Sequence, residues 1–190
     1  MRIIIIISCA AILISGCVIL LTCYLNTGHE IGNRNHINKR IIEMFNAGRA
    51  DDVYNFYNGF IKNRIATIYI INTALIFKIP VHYFIGLAYQ ESRFDFDEIS
   101  KRNTDGSIDI GGYQLNSNQY KKYKIDYLLE LENNIRLAGS HLTANYLQAG
   151  DWYTALGIYN SGNENNINFR HVRNILLYAD KLDESFAEKF

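Results

Sequence analysis

The chain has 190 residues, with nineteen Lys and Arg against nineteen Asp and Glu and a formal net charge of zero. After a long apolar leader is set aside, the remainder is enough for one packed domain and too little for two of ordinary size. Arg2 is the only charge before residue 25, so eighteen basic and nineteen acidic side chains follow it, a balance that gives no electrostatic case for nucleic acid or anionic lipid as a partner.

Ile3 to Leu25 carries no charged residue, and a helix of that length rises about 34 Å, enough to cross a bilayer core of about 30 Å. Residues 1–25 are therefore read as an export signal, a membrane anchor, or both. Arg2 and the terminal amine precede the segment and several basic residues follow between Arg34 and Arg40, so the positive-inside rule orients it only weakly. Ile14-Ser15-Gly16-Cys17 resembles a bacterial lipoprotein cleavage box, which makes Cys17 a candidate for lipidation. Val18-Ile19-Leu20-Leu21 then continues the apolar run where a lipoprotein usually turns polar, and that favours an uncleaved helix.

Cys9, Cys17 and Cys23 all lie in this leader, so the part that follows can form neither internal disulfides nor thiolate metal sites. The five histidines, His29, His36, His82, His141 and His171, are scattered without the close pairing of a zinc site. Each is read as a surface or core side chain, and no metal or cofactor is expected.

Residues 26–40 mix Asn, Gly, His and charge with little periodic apolar content, which reads as a linker between leader and domain. From Ile41 the apolar residues recur at helical spacing, and Asn46-Ala47-Gly48 divides the stretch to Ile61 into two short helices. Thr67 to Phe77 is rich in Ile, as a strand would be, but its length and the Lys78-Ile79-Pro80 turn favour a helix. The only proline starts the next helix, Val81 to Ser92. Asn103-Thr104-Asp105-Gly106-Ser107 is a turn, and the sole strand-like stretch lies near Ile108 to Leu115. Helices are expected over Glu132 to Ala149, Trp152 to Tyr159 and Phe169 to about Leu182, with Trp152 as a core anchor. The fold class is all-α, with one domain over residues 41–190.

Glu91 stands at the carboxyl end of an apolar helix in Ala88-Tyr89-Gln90-Glu91-Ser92-Arg93-Phe94, and Gly111-Gly112-Tyr113-Gln114-Leu115-Asn116 follows. A carboxyl protonates a leaving oxygen near neutral pH only if an apolar setting raises its pKa. Phe84, Tyr89, Phe94 and Tyr113 are available for that, and no Lys or Arg precedes Glu91 by one helical turn. On spacing alone, the bland alternative is an ordinary glutamate at a helix end. Asp105 and Asp109 are read as turn residues, Asp105 by capping and Asp109 by bonding backbone amides. Either would instead permit hydrolysis if it lay near Glu91.

The stretch Ile76 to Asn116 resembles the lytic transglycosylase (SLT) family with the goose-lysozyme-like fold, through Pro80, Glu91-Ser92-Arg93-Phe94, Ser100 and Gly111-Gly112-Tyr113-Gln114. Ala155-Leu156-Gly157-Ile158-Tyr159-Asn160-Ser161-Gly162, the closing block Phe169 to Leu176 and the intervening Asn134 to Leu142 are similar to further blocks of that family, in the same order. Several ordered blocks over about a hundred residues are specific where one would be weak. The loop from Asn103 to Gly111 resembles the branch that accompanies secretion and other envelope-spanning machines.

The resemblance implies a goose-lysozyme-like helical domain after the amino-terminal signal or anchor helix, and a peptidoglycan lytic transglycosylase that needs no cofactor. It implies that Glu91 first protonates the leaving oxygen and then acts as base, while the substrate's N-acetyl group and C6 hydroxyl close a 1,6-anhydro ring. Ser100, Tyr113, Gln114, Asn116, Tyr159 and Asn160 are the implied sugar-binding set, with the Tyr159 hydroxyl facing the catalytic carboxyl and Asn160 bracing its turn. Gly112-Tyr113 departs from the bulky pair usual before the glutamine, which implies a cleft wall that loses bulk and gains a hydroxyl. Partners would be peptidoglycan strands, the cytoplasmic membrane through residues 3–25 and an envelope-spanning assembly, with the domain on the outer face. A hydrolytic muramidase of the same fold and a non-catalytic wall-binding scaffold are the rival readings.

Overall fold

Pro80 caps a helix whose apolar residues point in every direction, and that places the helix at the centre of the domain. In the computed structural model, which describes residues 35–190, this helix is α4 (Val81–Ser92), with Val81, His82, Phe84, Ile85, Gly86, Leu87, Ala88 and Ser92 all buried. An all-round apolar helix is stable only when neighbours cover it. Before it come α1 (Asn35–Asn46), α2 (Ala50–Ile61) and α3 (Arg64–Ile76); after it a two-stranded hairpin, β1 (Asp109–Ile110) and β2 (Leu115–Asn116), leads to α5 (Ile125–Leu129), α6 (Leu131–Ala149), α7 (Trp152–Ser161), a 3-10 turn and α8 (Phe169–Lys189).

The described residues thus form a helical domain with one small antiparallel hairpin, in which Asp109 faces Asn116 and Ile110 faces Leu115. Helix boundaries follow local chemistry. Gly48, at φ +74°, ends the first turn region as expected, the Asn63 side chain accepts from the Ala66 amide at 3.0 Å, and Asp151 accepts from Thr154 at 2.8 Å. These are helix stops and N-caps that free amide donors require.

The short helix α5 had no counterpart in the periodicity reading, and two helix ends depart from it most. α1 starts at Asn35 rather than near Ile41, because Ile37 is buried and the Asn38 amide bridges two chain segments, donating to the Ile79 carbonyl at 2.8 Å and accepting from the Val81 amide at 3.0 Å. The linker reading of residues 26–40 therefore gives way to helix over its last part, and its remainder lies outside the described residues. α8 runs to Lys189, past Leu182, because Phe186 is buried among Phe56, Tyr57, His82 and Phe190. The leader reading, Cys17 included, also lies outside the described residues, and no helix among those described is long and apolar enough to cross a membrane.

α4 and α8 run antiparallel, pairing Glu91 with His171, Tyr89 with Tyr178 and His82 with Asp183. They approach closely at Gly86, where an added Cβ would stand 2.8 Å from the Ile175 carbonyl oxygen. Near the far end from Glu91, the Tyr57 hydroxyl bonds His82 Nε2 at 2.7 Å and His82 Nδ1 meets Asp183, tying α2, α4 and α8 together. Burial, with the Asp183 charge second, pushes the Tyr57 phenol well above its usual pKa. Trp152 is buried and stacks on Tyr146 at 4.1 Å, so it is a core anchor, as its position suggested.

Candidate active site

The last turn of α4 points two neighbouring side chains at different tasks. Glu91, whose side chain is 13% exposed, reaches a pocket of about 410 Å³ that it shares with Asp109, Gln114, Asn116, His141 and Tyr159. Ser92 is buried and donates to the Gly112 carbonyl at 2.9 Å, so the helix that carries the acid also holds the turn that faces it. The chain leaves α4 through Arg93 and Phe94, at φ +57° and +68°. Left-handed non-glycine residues cost of order 1–3 kcal/mol each and persist where the surroundings enforce them.

The facing turn is fastened by Asn134 of α6. Its amide nitrogen donates to the carbonyls of Ile110 at 2.8 Å and Leu128 at 2.9 Å, and its oxygen accepts from the Tyr113 amide at 3.1 Å. Gly111, at φ +74°, lies so close to this amide that an added Cβ would be 2.4 Å from Asn134 Nδ2. Gln114 then takes φ +46° and donates its side-chain amide back to the Gly111 carbonyl at 2.9 Å. This sharp reversal brings Gln114 to the pocket beside Glu91.

Tyr113 departs from expectation. It is fully buried, stacked on Phe84 with ring centres 4.5 Å apart, and its hydroxyl donates to the Phe84 carbonyl at 3.1 Å. Its hydroxyl therefore adds nothing to the cleft and its ring belongs to the core; the neighbouring Gly112 makes room for the Phe96 ring, 2.4 Å from where a Cβ would sit. What Tyr113 offers the site is its carbonyl, which accepts from the Tyr159 hydroxyl at 2.9 Å. The Tyr159 hydroxyl is thus directed to backbone rather than to the Glu91 carboxyl. Burial first, then the Glu91 charge and weaker neighbours including Asp109, push the Tyr159 phenol well above its usual pKa, so it remains a donor at neutral pH.

The hairpin carries the second carboxyl of the pocket. Asp109 accepts from the side-chain amides of Asn103 at 3.0 Å and Asn116 at 2.9 Å, not from backbone amides as its turn role suggested. Asn116 also donates to Ser107 Oγ at 2.9 Å, so both of its hydrogens are committed while it lines the pocket. Ser100 accepts from the Asp109 amide at 2.8 Å and donates to the Lys101 carbonyl at 2.9 Å; its hydroxyl secures the hairpin and is not among the pocket-lining groups. Asp105 lies apart from the pocket, accepting from the Ser107 amide at 3.0 Å and from Asn118. Bonds from Ser107, side chain first and then backbone, hold its carboxyl below the usual range, consistent with capping the turn.

Asn160 stands exposed at the pocket edge. The turn after α7 is braced instead by Ser161, whose Oγ donates to the Asn163 carbonyl at 2.6 Å. Tyr89 stacks on Tyr178 at 4.0 Å, and the group in contact with the Glu91 carboxyl is the His171 ring, with Nε2 3.2 Å from Oε1.

His141 is a pocket residue that the scattered histidine pattern did not single out. It lies seven residues after Asn134, two turns on and so on the same α6 face, which is the signal that would have found it. Its ring tilts against Tyr159 with centres 4.9 Å apart, and burial lowers its pKa. A histidine depressed in the folded state leaves the unfolded chain holding more protons below its ordinary value of about 6.5. Stability should therefore fall as pH drops below about 6.5, by at most about 1.4 kcal/mol per unit for one proton, until the folded value is passed. Urea unfolding across that range should show a shallower slope for His141→Gln than for the native chain; equal slopes would remove the assignment.

Among the described residues no group of three His, Cys, Asp or Glu is arranged to hold a metal ion. The pocket presents two carboxyls, several amides, one phenol and one imidazole, with no Lys or Arg in its lining. Such a set suits a neutral, hydroxyl-rich ligand and a developing positive charge better than an anion. A model of the transglycosylase SLT domain matches residues 68–174, the span that holds every one of these groups. No curated protein and no solved structure matches the chain. With more than half of its length matched, from α3 through the first turns of α8, the chain belongs to the transglycosylase SLT domain family, and its function is of the lytic-transglycosylase type, acting on peptidoglycan.

Proposed function

We propose that the chain cleaves the β-1,4 bond between MurNAc and GlcNAc with formation of a 1,6-anhydro ring, and that Glu91 is the acid and base of both steps. The observation that carries this reading is a carboxyl largely removed from water that opens into a pocket without a cation. The Glu91 proton passes to the bridging oxygen as the C1 to oxygen bond breaks. The C6 hydroxyl oxygen then bonds C1 and returns its proton to Glu91, so no water is consumed and the acid is regenerated. Gln114, His141 and Asn160 are the groups placed to bond sugar hydroxyls or the N-acetyl group, with Tyr159 and Asn116 shaping the wall. Ser100 and Tyr113 serve this wall from outside the pocket, by securing the hairpin and the turn.

Asp109 supports a second reading, because a carboxyl in the same pocket as Glu91 could activate water and give hydrolysis. The two readings separate by mass. Full-length chain incubated in detergent with purified peptidoglycan should release muropeptides lighter by one water than the reducing products of hydrolysis. Reducing ends that disappear in Asp109→Asn would instead establish a muramidase, and intact sacculi under all conditions would favour a wall-binding scaffold. The uncharged segment Ile3 to Leu25 supports attachment to the cytoplasmic membrane with the domain outside, as an uncleaved anchor or through Cys17. The resemblance of the Asn103 to Gly111 loop to the branch that accompanies envelope-spanning machines supports such an assembly as a partner.

A further inference from the structure

An acid that works twice must be served in two states, and α4 offers its carboxylate no donor. Glu91 sits in the last turn of its helix, where the free backbone groups are carbonyls and no amide is left to bond it. Opposite stands His171, in the first turn of α8, where the dipole favours an anion nearby. Its Nε2 lies 3.2 Å from Glu91 Oε1, and its side chain is 7% exposed. Both atoms are buried and neither has an aligned hydrogen-bond partner, a geometry that tightens in many enzymes only when substrate is bound. The Asn168 side chain accepts the His171 amide at 3.2 Å and so fixes the start of the helix that presents the ring. His171 does not line the pocket; it meets the carboxyl from behind.

We propose that His171 is a positioning residue for Glu91, donating its Nε2 hydrogen to the carboxylate during the half of the cycle in which the proton has left for the glycosidic oxygen. This rests on the reading of Glu91 as the acid. The other titratable or charged groups around the pair are Tyr159 from α7, Asp109 from the hairpin, His141 from α6, and Arg170 and Arg173 on α8. Tyr159 stays a phenol, Asp109 is engaged by two amides, burial lowers His141, and both arginines are exposed. His171 is therefore the group placed to answer the charge that appears on Glu91.

The test reads the His171 ring nitrogens by nuclear magnetic resonance of the full-length chain, assigned by their absence in His171→Gln. The ring hydrogen should stand on Nε2, the atom that faces Glu91. A hydrogen held on Nδ1 alone overturns the proposal. In peptidoglycan cleavage, His171→Phe should lower the rate at least about tenfold and move the alkaline limb of the pH profile up by about one unit, since the carboxylate has lost its donor. His171→Gln, which keeps a donor, should recover part of the rate. A His171→Phe chain that melts normally and keeps the native profile overturns the proposal; if it does not fold, the ring-nitrogen spectrum and His171→Gln decide. An active Glu91→Gln would sink the reading of Glu91 itself, whereas an inactive one beside an unaffected His171→Phe would sink only the role of His171.

Discussion

Glu91→Gln is expected to lower the release of soluble muropeptides from purified peptidoglycan by about 10²–10⁴-fold, the usual worth of a positioned general acid. An amide of the same shape cannot give a proton to the leaving oxygen or take one from the C6 hydroxyl, so both halves of the proposed cycle stop. The fold should remain, because the Glu91 side chain makes no aligned hydrogen bond at Oε1 and the substitution keeps its volume. A melting temperature within about 2–4 °C of the native chain, the equivalent of about 1 kcal/mol, would confirm that chemistry and not structure was removed. Native-level activity in this variant would end the assignment.

The second large effect lies outside the pocket. Asn134→Ala is expected to destabilise the domain by about 3 kcal/mol, because it deletes one side chain that satisfies three buried backbone groups, at Ile110, Tyr113 and Leu128. Leaving buried polar groups unpaired costs about 1–3 kcal/mol each before relaxation and water entry reduce the total. For a domain of this size that corresponds to a fall of about 6–12 °C in melting temperature. Activity should fall further than stability explains, measured at a temperature where the variant is folded, because the Gly111 to Gln114 turn loses its only link to α6 among the contacts described. A variant that melts like the native chain would show that the turn is held by its own hairpin.

The helices were legible because their signals are local. Gly48, Asn63, Pro80, Gly150 and Asp151 mark ends through backbone geometry and capping that a few consecutive residues encode, and the ordered blocks around Glu91, Gln114 and Tyr159 brought the family into view. The ends that were misplaced depend on distant partners. α1 begins early because Asn38 bonds the turn about forty residues away, and α8 continues because Phe186 meets rings on α2 and α4; Ile37 and Phe186 do stand one helical turn beyond Ile41 and Leu182, but a single apolar residue beyond a polar stretch does not show whether the helix reaches it.

By itself, the sequence determined a helical transglycosylase-type domain and singled out Glu91 as its candidate acid, since apolar spacing, caps and motif order are properties of neighbouring residues. Only the tertiary structure decided which side chains face the pocket. It turned Tyr113 into the core and tied Ser100 to the hairpin, added Asp109 and His141 to the wall, and set His171 behind Glu91. Those outcomes depend on which buried polar groups need a partner once α4, α6, α8 and the hairpin have packed, and that demand arises only when residues far apart in the chain exclude water together.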